Sequence, residues 1–246
     1  MFRTVEARQK IISNLGESYC VENLISSTEI SRLIEIYESW DSKIYKNTVY
    51  GRGPITTNIT ELLYSDPILT PMVDKIESYI GKHKIEIAIH FDVIKPHIIH
   101  MDDFHDRPDS LMYKAITIPL RIEYNEDIEI KETPFLCTFD QYYLEGPAKF
   151  FKDNTTRKES HYNTPIYEYS QVQNKTDIPF PEEIRLKYFN HLNPVWLEGL
   201  SFNSAHSWIP GNAIFFDCVR LHCASDFRKL GIKSKLGLSI FTSSLL

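Results

Sequence analysis

The chain has 246 residues, of which 42% are hydrophobic and 24% are charged. This composition is ordinary for a globular protein, so it argues against disorder over most of the chain and predicts one sizeable domain. The formal net charge of −6 argues against a protein that coats nucleic acid, because such proteins are usually basic.

The sequence also argues against secretion and membrane insertion. Its first residues lack the apolar core of a signal peptide, and no apolar run approaches the length of a membrane span. The four cysteines are scattered without C-x-x-C spacing, which is typical of reduced thiols inside a cell. We expect a soluble cytoplasmic domain without a membrane partner, and the sequence leaves its oligomeric state open.

A first helix is predicted over residues 26–40. Ser26 and Glu29 have the spacing of a capping box, in which each residue satisfies a backbone N–H of the other. The apolar residues that follow recur on one helical face. We expect this helix to be scaffold that packs against the rest of the domain.

A second scaffold helix is predicted over residues 66–82. Asp66 is the expected N-terminal cap, Pro67 falls in the first turn, and Gly81 is suited to the position after the last turn. Pro71 is either tolerated early in this helix or moves its start along the chain.

Beyond residue 82 the hydrophobic period changes from 3.6 to 2, which predicts β-strands. The segments with this pattern are residues 84–93, 111–124, 133–143, 211–219 and 234–244. Short strands without alternating helices favour a sandwich or barrel such as a jelly roll. The predicted single domain, residues 1–246, is therefore mainly β, with a helical part over 1–82 and a β core over 83–243.

A polar segment rich in tyrosine, asparagine and proline, at about residues 145–205, interrupts the predicted β core. Segments of this length inside a compact domain tend to be functional when they lack secondary structure of their own. We therefore interpret this segment as an insertion that covers the functional site as a lid.

The densest polar cluster is KPHIIHMDDFHD at residues 95–106, with three histidines and three aspartates. If this segment is extended, His100 and Asp102 point to the same side, because side chains alternate along a strand. Two ligands bind a metal weakly, so a third must come from elsewhere, and the best candidate is His222 beyond an apolar strand. A set of two histidines and one carboxylate leaves coordination positions open, which suits Fe(II) and O₂ chemistry.

The remaining histidines near these positions have other expected roles. His97 and His105 are expected to orient the ligands or to lie at the surface, and His206 is expected to be structural. The cluster has an alternative interpretation as a solvated loop, in which Asp102 accepts backbone hydrogen bonds. His222 would then be a buried core histidine.

With these elements the sequence resembles the 2-oxoglutarate/Fe(II)-dependent oxygenases, whose core is a double-stranded β-helix of the jelly-roll and cupin-like type. The matching parts are HMD at 100–102, YKAITIPL at 113–120 and WIPGNAIFFDCVRLH at 208–222. The resemblance covers roughly residues 85–243. The ordered set of motifs in strand context is more specific than H-x-D alone, which occurs by chance.

The resemblance implies that His100, Asp102 and His222 hold Fe(II), with 2-oxoglutarate as co-substrate and O₂ as oxidant. In the family, 2-oxoglutarate is converted to succinate and CO₂, usually while a C–H bond of the substrate is hydroxylated. We expect a small-molecule substrate and no nucleic acid. Halogenation in this family normally lacks the carboxylate ligand, so Asp102 argues against it.

The same resemblance implies a basic residue on the final strand that binds the distal carboxylate of 2-oxoglutarate. The sequence has no arginine at that spacing; Lys235 is favoured and Lys233 is the close alternative, since both share one strand face by parity. Lysine supplies a point charge where arginine would supply a bidentate fork. Lys114 is a third candidate, because asparaginyl hydroxylases of this superfamily place their lysine on the strand after H-x-D.

Two alternative functions remain open. A cupin-like metalloprotein would use the same fold with another metal and without 2-oxoglutarate, so the three candidate lysines would have no role in it. A non-catalytic jelly-roll binding protein would have a coincidental ligand set, and loss of His222 would change only its stability.

Overall fold

The computed structural model describes residues 3–39, 45–47, 51–54, 59–102, 109–129, 132–144, 148–150, 166–167 and 172–244. The α-helices are α1 (Val5–Ser13), α2 (Ser27–Glu38), α3 (Thr60–Ser65), α4 (Thr70–Ile80) and α5 (Glu182–Tyr188). Among the described residues, no helix has the length and apolar character needed to cross a membrane.

Most of the described elements are strands. They are β1 (Tyr19–Val21), β2 (Tyr45–Asn47), β3 (Gly51–Pro54), β4 (His83–Val93), β5 (His100–Met101), β6 (Met112–Tyr124), β7 (Phe135–Tyr142), β8 (Ala148–Phe150), β9 (Ile166–Tyr167), β10 (Phe202–Ser207), β11 (Ala213–Asp217), β12 (Arg220–Ala224) and β13 (Ile232–Ser244). Short 3₁₀ helices span Pro194–Leu197 and Phe227–Leu230.

The strands form two sheets. The large sheet has the order β1-β11-β6-β13-β4-β3-β2, and the small sheet has the order β10-β7-β12-β5-β8-β9. The central strands of the large sheet are thus β11, β6, β13 and β4, and they face β10, β7, β12 and β5 of the small sheet. These eight strands pair in antiparallel fashion with the connectivity of a jelly roll, the double-stranded β-helix. The predicted fold class, mainly β with N-terminal helices, is confirmed.

Strand β13 shows how the sequence fills both faces of the large sheet. Leu236, Leu238 and Ile240 belong to the core between this sheet and the helices, whereas Phe241 belongs to the core between the two sheets. Gly237 shares the inner face, where a Cβ would lie 2.5 Å from Phe91 and 2.9 Å from Trp208. Glycine at this position therefore leaves room for two aromatic rings beside the functional site.

The N-terminal helices cover the outer face of the large sheet. The capping box of α2 is confirmed, because the Ser26 hydroxyl accepts from the Glu29 N–H and the Glu29 carboxylate accepts from the Ser26 N–H at 2.7 Å. Leu33 on this helix is completely buried against the sheet. Burying a leucine in this way contributes about 1.5–3 kcal/mol relative to leaving it exposed.

Pro71 moves the start of the second helix along the chain, as one of the two alternatives predicted, and Asp66 as its N-terminal cap is wrong. Helix α4 begins at Thr70, with Pro71 in its first turn, and ends before Gly81, whose φ of 74° favours glycine. Asp66 instead ends α3 and accepts a hydrogen bond from the Ile68 N–H at 2.9 Å. Since proline removes a backbone donor, Pro71 is compatible with the first turn of α4 but not with its interior.

The predicted insertion differs from the structure at its C-terminal end. Residues 202–207 form β10, an edge strand of the small sheet, so the insertion ends before residue 205. The described segment 172–200 packs onto the outer face of the small sheet, where it buries Phe189, Trp196 and Leu197. The rest of the insertion lies outside the described residues, apart from β8 and β9. Its role as a lid and the single domain over 1–246 stay predictions.

Candidate metal centre

The proposed ligands come together through the pairing of two short strands. In the small sheet β5 lies beside β12, and His100 is directly opposite His222 in the antiparallel register. Met101 points to the outer face and is buried there, so its neighbours His100 and Asp102 point inward. The Asp102 N–H donates to the Cys218 carbonyl oxygen at 3.0 Å, which fixes the chain just beyond β5.

The three ligand atoms are close enough to hold one metal ion. One atom from each of His100, Asp102 and His222 lies within 4.8 Å of the others. Asp102 Oδ2 is 3.1 Å from His222 Nε2, and Asp102 Oδ1 is 3.8 Å from His100 Nε2. Bonds of about 2.1 Å at right angles would place neighbouring ligand atoms about 3 Å apart. The Asp102–His222 spacing matches this value and the Asp102–His100 spacing is longer, so the three side chains can converge on one ion after a small movement of His100.

The hydrogen bonds of the two histidines select the ring nitrogen that faces Asp102. The Nδ1 of His100 lies 2.7 Å from the Ile98 carbonyl oxygen, and the Nδ1 of His222 lies 3.0 Å from the Arg220 carbonyl oxygen. A carbonyl oxygen can only accept, so both Nδ1 atoms carry hydrogen and donate. Each Nε2 is then available as a ligand, which is the arrangement that orients metal-binding histidines.

The protonation state of Asp102 also suits a metal ligand. Burial by itself raises the pKa of this carboxyl group, but His222, together with His100 and His97, outweighs burial and lowers the pKa below its usual value. Asp102 therefore stays ionised at neutral pH, and a carboxylate beside two imidazole nitrogens offers the donor set of a non-haem Fe(II) centre.

The ligand set lines a cavity of about 160 Å³ between the two sheets. Apolar side chains form most of its wall: Ile89, Phe91, Val93, Phe135, Leu136, Trp208, Ala224 and Phe241. Besides the ligands, the described polar groups in the wall are those of His97, Thr117, Cys223, Lys235 and Ser239. A small apolar cavity with a few converging polar groups is typical of a small-molecule site.

Lys235 is a buried cation in this wall. It is 2% exposed, and its Nζ lies 4.1 Å from the ring centroid of Trp208 and 4.8 Å from that of Phe227. Among the described residues no carboxylate forms an ion pair with it. Burial lowers the pKa of Lys235 to about 7, although Cys137 and Cys223 act in the opposite direction. An anion bound in the cavity would therefore stabilise the charged lysine.

The other two candidate lysines lie elsewhere. Lys233 is exposed and lines a different surface hollow, with Glu123 and Tyr124. The strand-parity interpretation placed it on the same face as Lys235, but the pairing of β13 with β6 shifts register between residues 232 and 234. Lys114 is buried in an ion pair with Asp217 and does not line the cavity.

The remaining histidines differ in their relation to the cavity. His97 is part of its wall, and its ring centroid lies 5.4 Å from that of His100. His206 belongs to a polar cluster in which its Nε2 lies 3.0 Å from the hydroxyls of Ser18 and Ser204. Burial lowers the pKa of His206, which favours its neutral form, and the residue does not line the cavity. His105 lies outside the described residues.

Two hydroxyl groups also lie in the cavity wall: that of Ser239, which strand parity places on the same face as Lys235, and that of Thr117, which was not identified from the sequence. Ser239 lies directly opposite Thr117 in the pairing of β13 with β6. The alternation of β13, which also places Lys235 on the inner face, was the available signal for Ser239. The sequence contained no comparable signal for Thr117, because its segment is apolar on both faces.

Comparison with known proteins gives only distant likenesses. No protein-family model and no curated protein matches the chain. Similar solved structures include an oxidoreductase of the 2OG-Fe(II) oxygenase family from Burkholderia pseudomallei, which is 10% identical with a TM-score of 0.42 over 96% of this chain and 87% of that chain. This structure belongs to the family that the sequence resembles.

Two further solved structures show the same level of likeness. EvdO2 from Micromonospora carbonacea var. aurantiaca, complexed with 2-oxoglutarate, is 11% identical with a TM-score of 0.44, covering 100% of this chain and 95% of that chain. HygX from Streptomyces hygroscopicus, with iron bound, is 12% identical with a TM-score of 0.46, covering 99% and 87%. At such identities and TM-scores the activity of this chain has to be inferred from its own residues.

Replacing Lys235 by methionine should change how stability depends on pH. In the folded wild type the pKa of Lys235 is about 7, whereas an unfolded lysine titrates at about 10.4. Between these values the unfolded state binds more protons, so this residue makes the free energy of unfolding rise with pH. We expect the Lys235→Met variant to be more stable than the wild type, with the largest difference in the free energy of unfolding below pH 7 and a smaller one towards pH 10. Denaturant unfolding of the metal-free protein at several pH values measures this difference.

The control is Lys233→Met, because Lys233 is exposed. Its difference from the wild type should be small and independent of pH. A Lys235→Met variant whose stability runs parallel to that of the wild type over this range would contradict a buried lysine with a lowered pKa.

Proposed function

We propose that the chain is an Fe(II)- and 2-oxoglutarate-dependent oxygenase that oxidises a small molecule. One observation carries the proposal: His100, Asp102 and His222 line the same small cavity as Lys235, a buried cation for which the described residues supply no carboxylate partner. The first three groups suit a metal with open positions, and the fourth suits a carboxylate of a co-substrate.

The metal would be held by Nε2 of His100, Nε2 of His222 and a carboxylate oxygen of Asp102. Because His100 and His222 lie on inward-facing positions of paired strands and Asp102 follows directly after β5, the three side chains would approach the ion from the small sheet and leave the side towards the cavity open. Fe(II) bound there would supply O₂ activation coupled to decarboxylation of 2-oxoglutarate. The protein contributes the fixed tautomers of both histidines and the ionised state of Asp102.

Lys235 would bind the distal carboxylate of 2-oxoglutarate. An ammonium group in an apolar wall attracts an anion more strongly than an exposed one, because water does not screen it. Thr117 and Ser239 line the same cavity, and their hydroxyls can donate hydrogen bonds to a carboxylate. The aromatic contacts of Lys235 with Trp208 and Phe227 hold the cation in place when the anion is absent.

The apolar wall would direct the chemistry to the substrate. Phe91, Trp208 and Phe241 give the cavity a surface that does not hydrogen-bond water, so reactive species formed there would meet the bound substrate and not solvent. Hydroxylation of a C–H bond is the outcome that we propose. The small cavity favours a small molecule as the substrate.

His222→Ala should abolish tight metal binding. Loss of one of three ligands is expected to weaken Co(II) affinity by more than about 100-fold, since even residues that only orient ligands cost 10–100-fold. His206→Ala is the matched control, because His206 is a neutral histidine of the same sheet that does not line the cavity. Calorimetric titration of the purified metal-free chain measures both. Equal affinity in wild type and His222→Ala would contradict the assigned ligands.

The affinity of the metal-loaded protein for 2-oxoglutarate should depend on Lys235 and on pH. We expect Lys235→Ala to weaken binding by at least about tenfold, the value of one lost charge-assisted hydrogen bond. Lys233→Ala should bind like the wild type. In the wild type, affinity should fall as pH rises above about 7, because the free protein then loses the proton on Lys235.

Titration of Co(II)-loaded protein with 2-oxoglutarate at pH 6.5 and pH 9 would measure this. Unchanged affinity in Lys235→Ala, with metal binding intact, would exclude Lys235 as the carboxylate-binding cation. If the metal-loaded wild type does not bind 2-oxoglutarate at all, the result would favour the cupin-like alternative.

A further inference from the structure

We infer that a buried charge cluster, Lys114, Asp217 and Arg220, positions two of the three metal ligands through the turn between β11 and β12. The inference rests on the proposed metal site, because it assigns a role to residues that would act on that site. None of the three side chains lines the cavity. They would therefore be positioning residues that do not contact the metal or the substrate.

The cluster is built around one carboxylate. Lys114 Nζ forms an ion pair with Asp217 Oδ1 at 2.5 Å, and Arg220 Nη2 lies 3.6 Å from Asp217 Oδ2. The side chain of Lys114 is 8% exposed, that of Asp217 is 3% exposed and that of Arg220 is 10% exposed. Within the described part of the chain, Asp217 is the one carboxylate that pairs with either cation. Two buried cations thus depend on a single anion, so its loss would leave two uncompensated charges.

The N-terminal segment closes the cluster. The Gly16 N–H donates to Asp217 Oδ2 at 3.0 Å, and the Gly16 carbonyl oxygen accepts from Arg220 Nη2 at 2.8 Å. Arg220 Nη1 also donates to the Phe139 carbonyl oxygen of β7 at 3.0 Å. A Cβ on Gly16 would lie only 3.3 Å from Lys114 Nζ. The cluster is therefore tied to the N-terminal segment and to β7 by hydrogen bonds, which restricts where the turn can lie.

The turn between Asp217 and Arg220 provides the acceptors that hold the metal ligands. The Cys218 carbonyl oxygen accepts from the Asp102 N–H at 3.0 Å, and the Arg220 carbonyl oxygen faces His222 Nδ1 at 3.0 Å. The side chains of Asp217 and Arg220 thus anchor the two ends of a four-residue turn whose backbone orients Asp102 and His222. A shift of that turn would move both ligands at once.

Lys114 gains a role that does not involve 2-oxoglutarate. Its backbone N–H donates to Thr242 Oγ1 at 3.1 Å, and the same hydroxyl donates to the Lys114 carbonyl oxygen at 2.9 Å. Both ends of the residue are therefore held, by β13 at the backbone and by Asp217 at the side chain. Since Asp217 lies opposite Lys114 in the pairing of β11 with β6, the ion pair fixes the end of β11.

The test uses Asp217→Asn and Arg220→Lys in the full chain. The amide keeps the size of the side chain but loses the charge, whereas Arg220→Lys keeps the charge but cannot reach both carbonyl oxygens with one ammonium group. Asp66→Asn is the control, because Asp66 is a buried carboxylate that pairs with Arg32 at 2.7 Å at the end of α3. It should lower stability without affecting the turn.

The first measurement is Co(II) affinity by calorimetry. We expect a decrease of about 10–100-fold in Asp217→Asn and a smaller decrease in Arg220→Lys, with no change in Asp66→Asn. If Asp217→Asn does not fold, Arg220→Lys decides the result. Wild-type affinity in the folded variants of the cluster would overturn the inference.

The second measurement needs no metal. Amide hydrogen exchange of the metal-free protein reports the hydrogen bond from the Asp102 N–H to Cys218, with the amide of Ile240 on β13 as the internal reference. We expect Asp102 protection in Arg220→Lys and Asp217→Asn to fall at least tenfold more than that of Ile240, whereas Asp66→Asn should lower both equally or neither. An equal loss at both amides in all variants would show a purely structural role and overturn the inference. Failure of the wild type to bind Co(II) would contradict the proposed function instead, and the exchange result would still decide whether the cluster holds the turn.

Discussion

The antiparallel contact between β5 and β12 is the constraint on which the functional site depends. It places His222 opposite His100, although the two residues are far apart in sequence. Because β5 has only two residues, this strand cannot hold its own position by extensive pairing. We infer that the neighbouring strands and the turn at residues 217–220 hold β5 in position. The hydrogen bond from the Asp102 N–H to the Cys218 carbonyl oxygen is one such contact, directly beside the proposed ligands. The jelly roll thus provides a rigid frame for proposed metal ligands that lie on or beside a strand of only two residues.

The buried cations of this domain divide into two kinds. Lys114 and Arg220 share Asp217 and are tied to backbone carbonyl oxygens, so their charges are compensated inside the protein. Lys235 is as deeply buried, but among the described residues it has aromatic rings as neighbours and no carboxylate. Burying a charge without a counter-ion costs free energy, so such a residue is an indicator of an anionic ligand. Within the same sheet, Lys114 is thus compensated by Asp217, whereas Lys235 is the lysine for which we propose a binding role.

The sequence predicted those features that depend on local periodicity. Strand alternation was sufficient to orient His100 and Asp102, and the capping box located the start of α2. Parity could not distinguish Lys235 from Lys233, because the irregular pairing at the start of β13 is a tertiary feature. The strand β10 was missed because it lies within a polar segment, and Pro71 moved the start of α4. The cluster around Asp217 could not be predicted, since its members lie on β6, β11 and β12 and meet only after these strands have packed together.

The proposed metal centre and its use of 2-oxoglutarate are tested most directly by an anaerobic titration of the metal-free protein with Fe(II) and then 2-oxoglutarate, followed by visible absorption. We expect a weak charge-transfer band that needs both the metal and the co-substrate, because 2-oxoglutarate would chelate the iron held by His100, Asp102 and His222. One iron bound per chain without such a band would contradict the use of 2-oxoglutarate. A chain that binds no iron at all would contradict the metal centre itself.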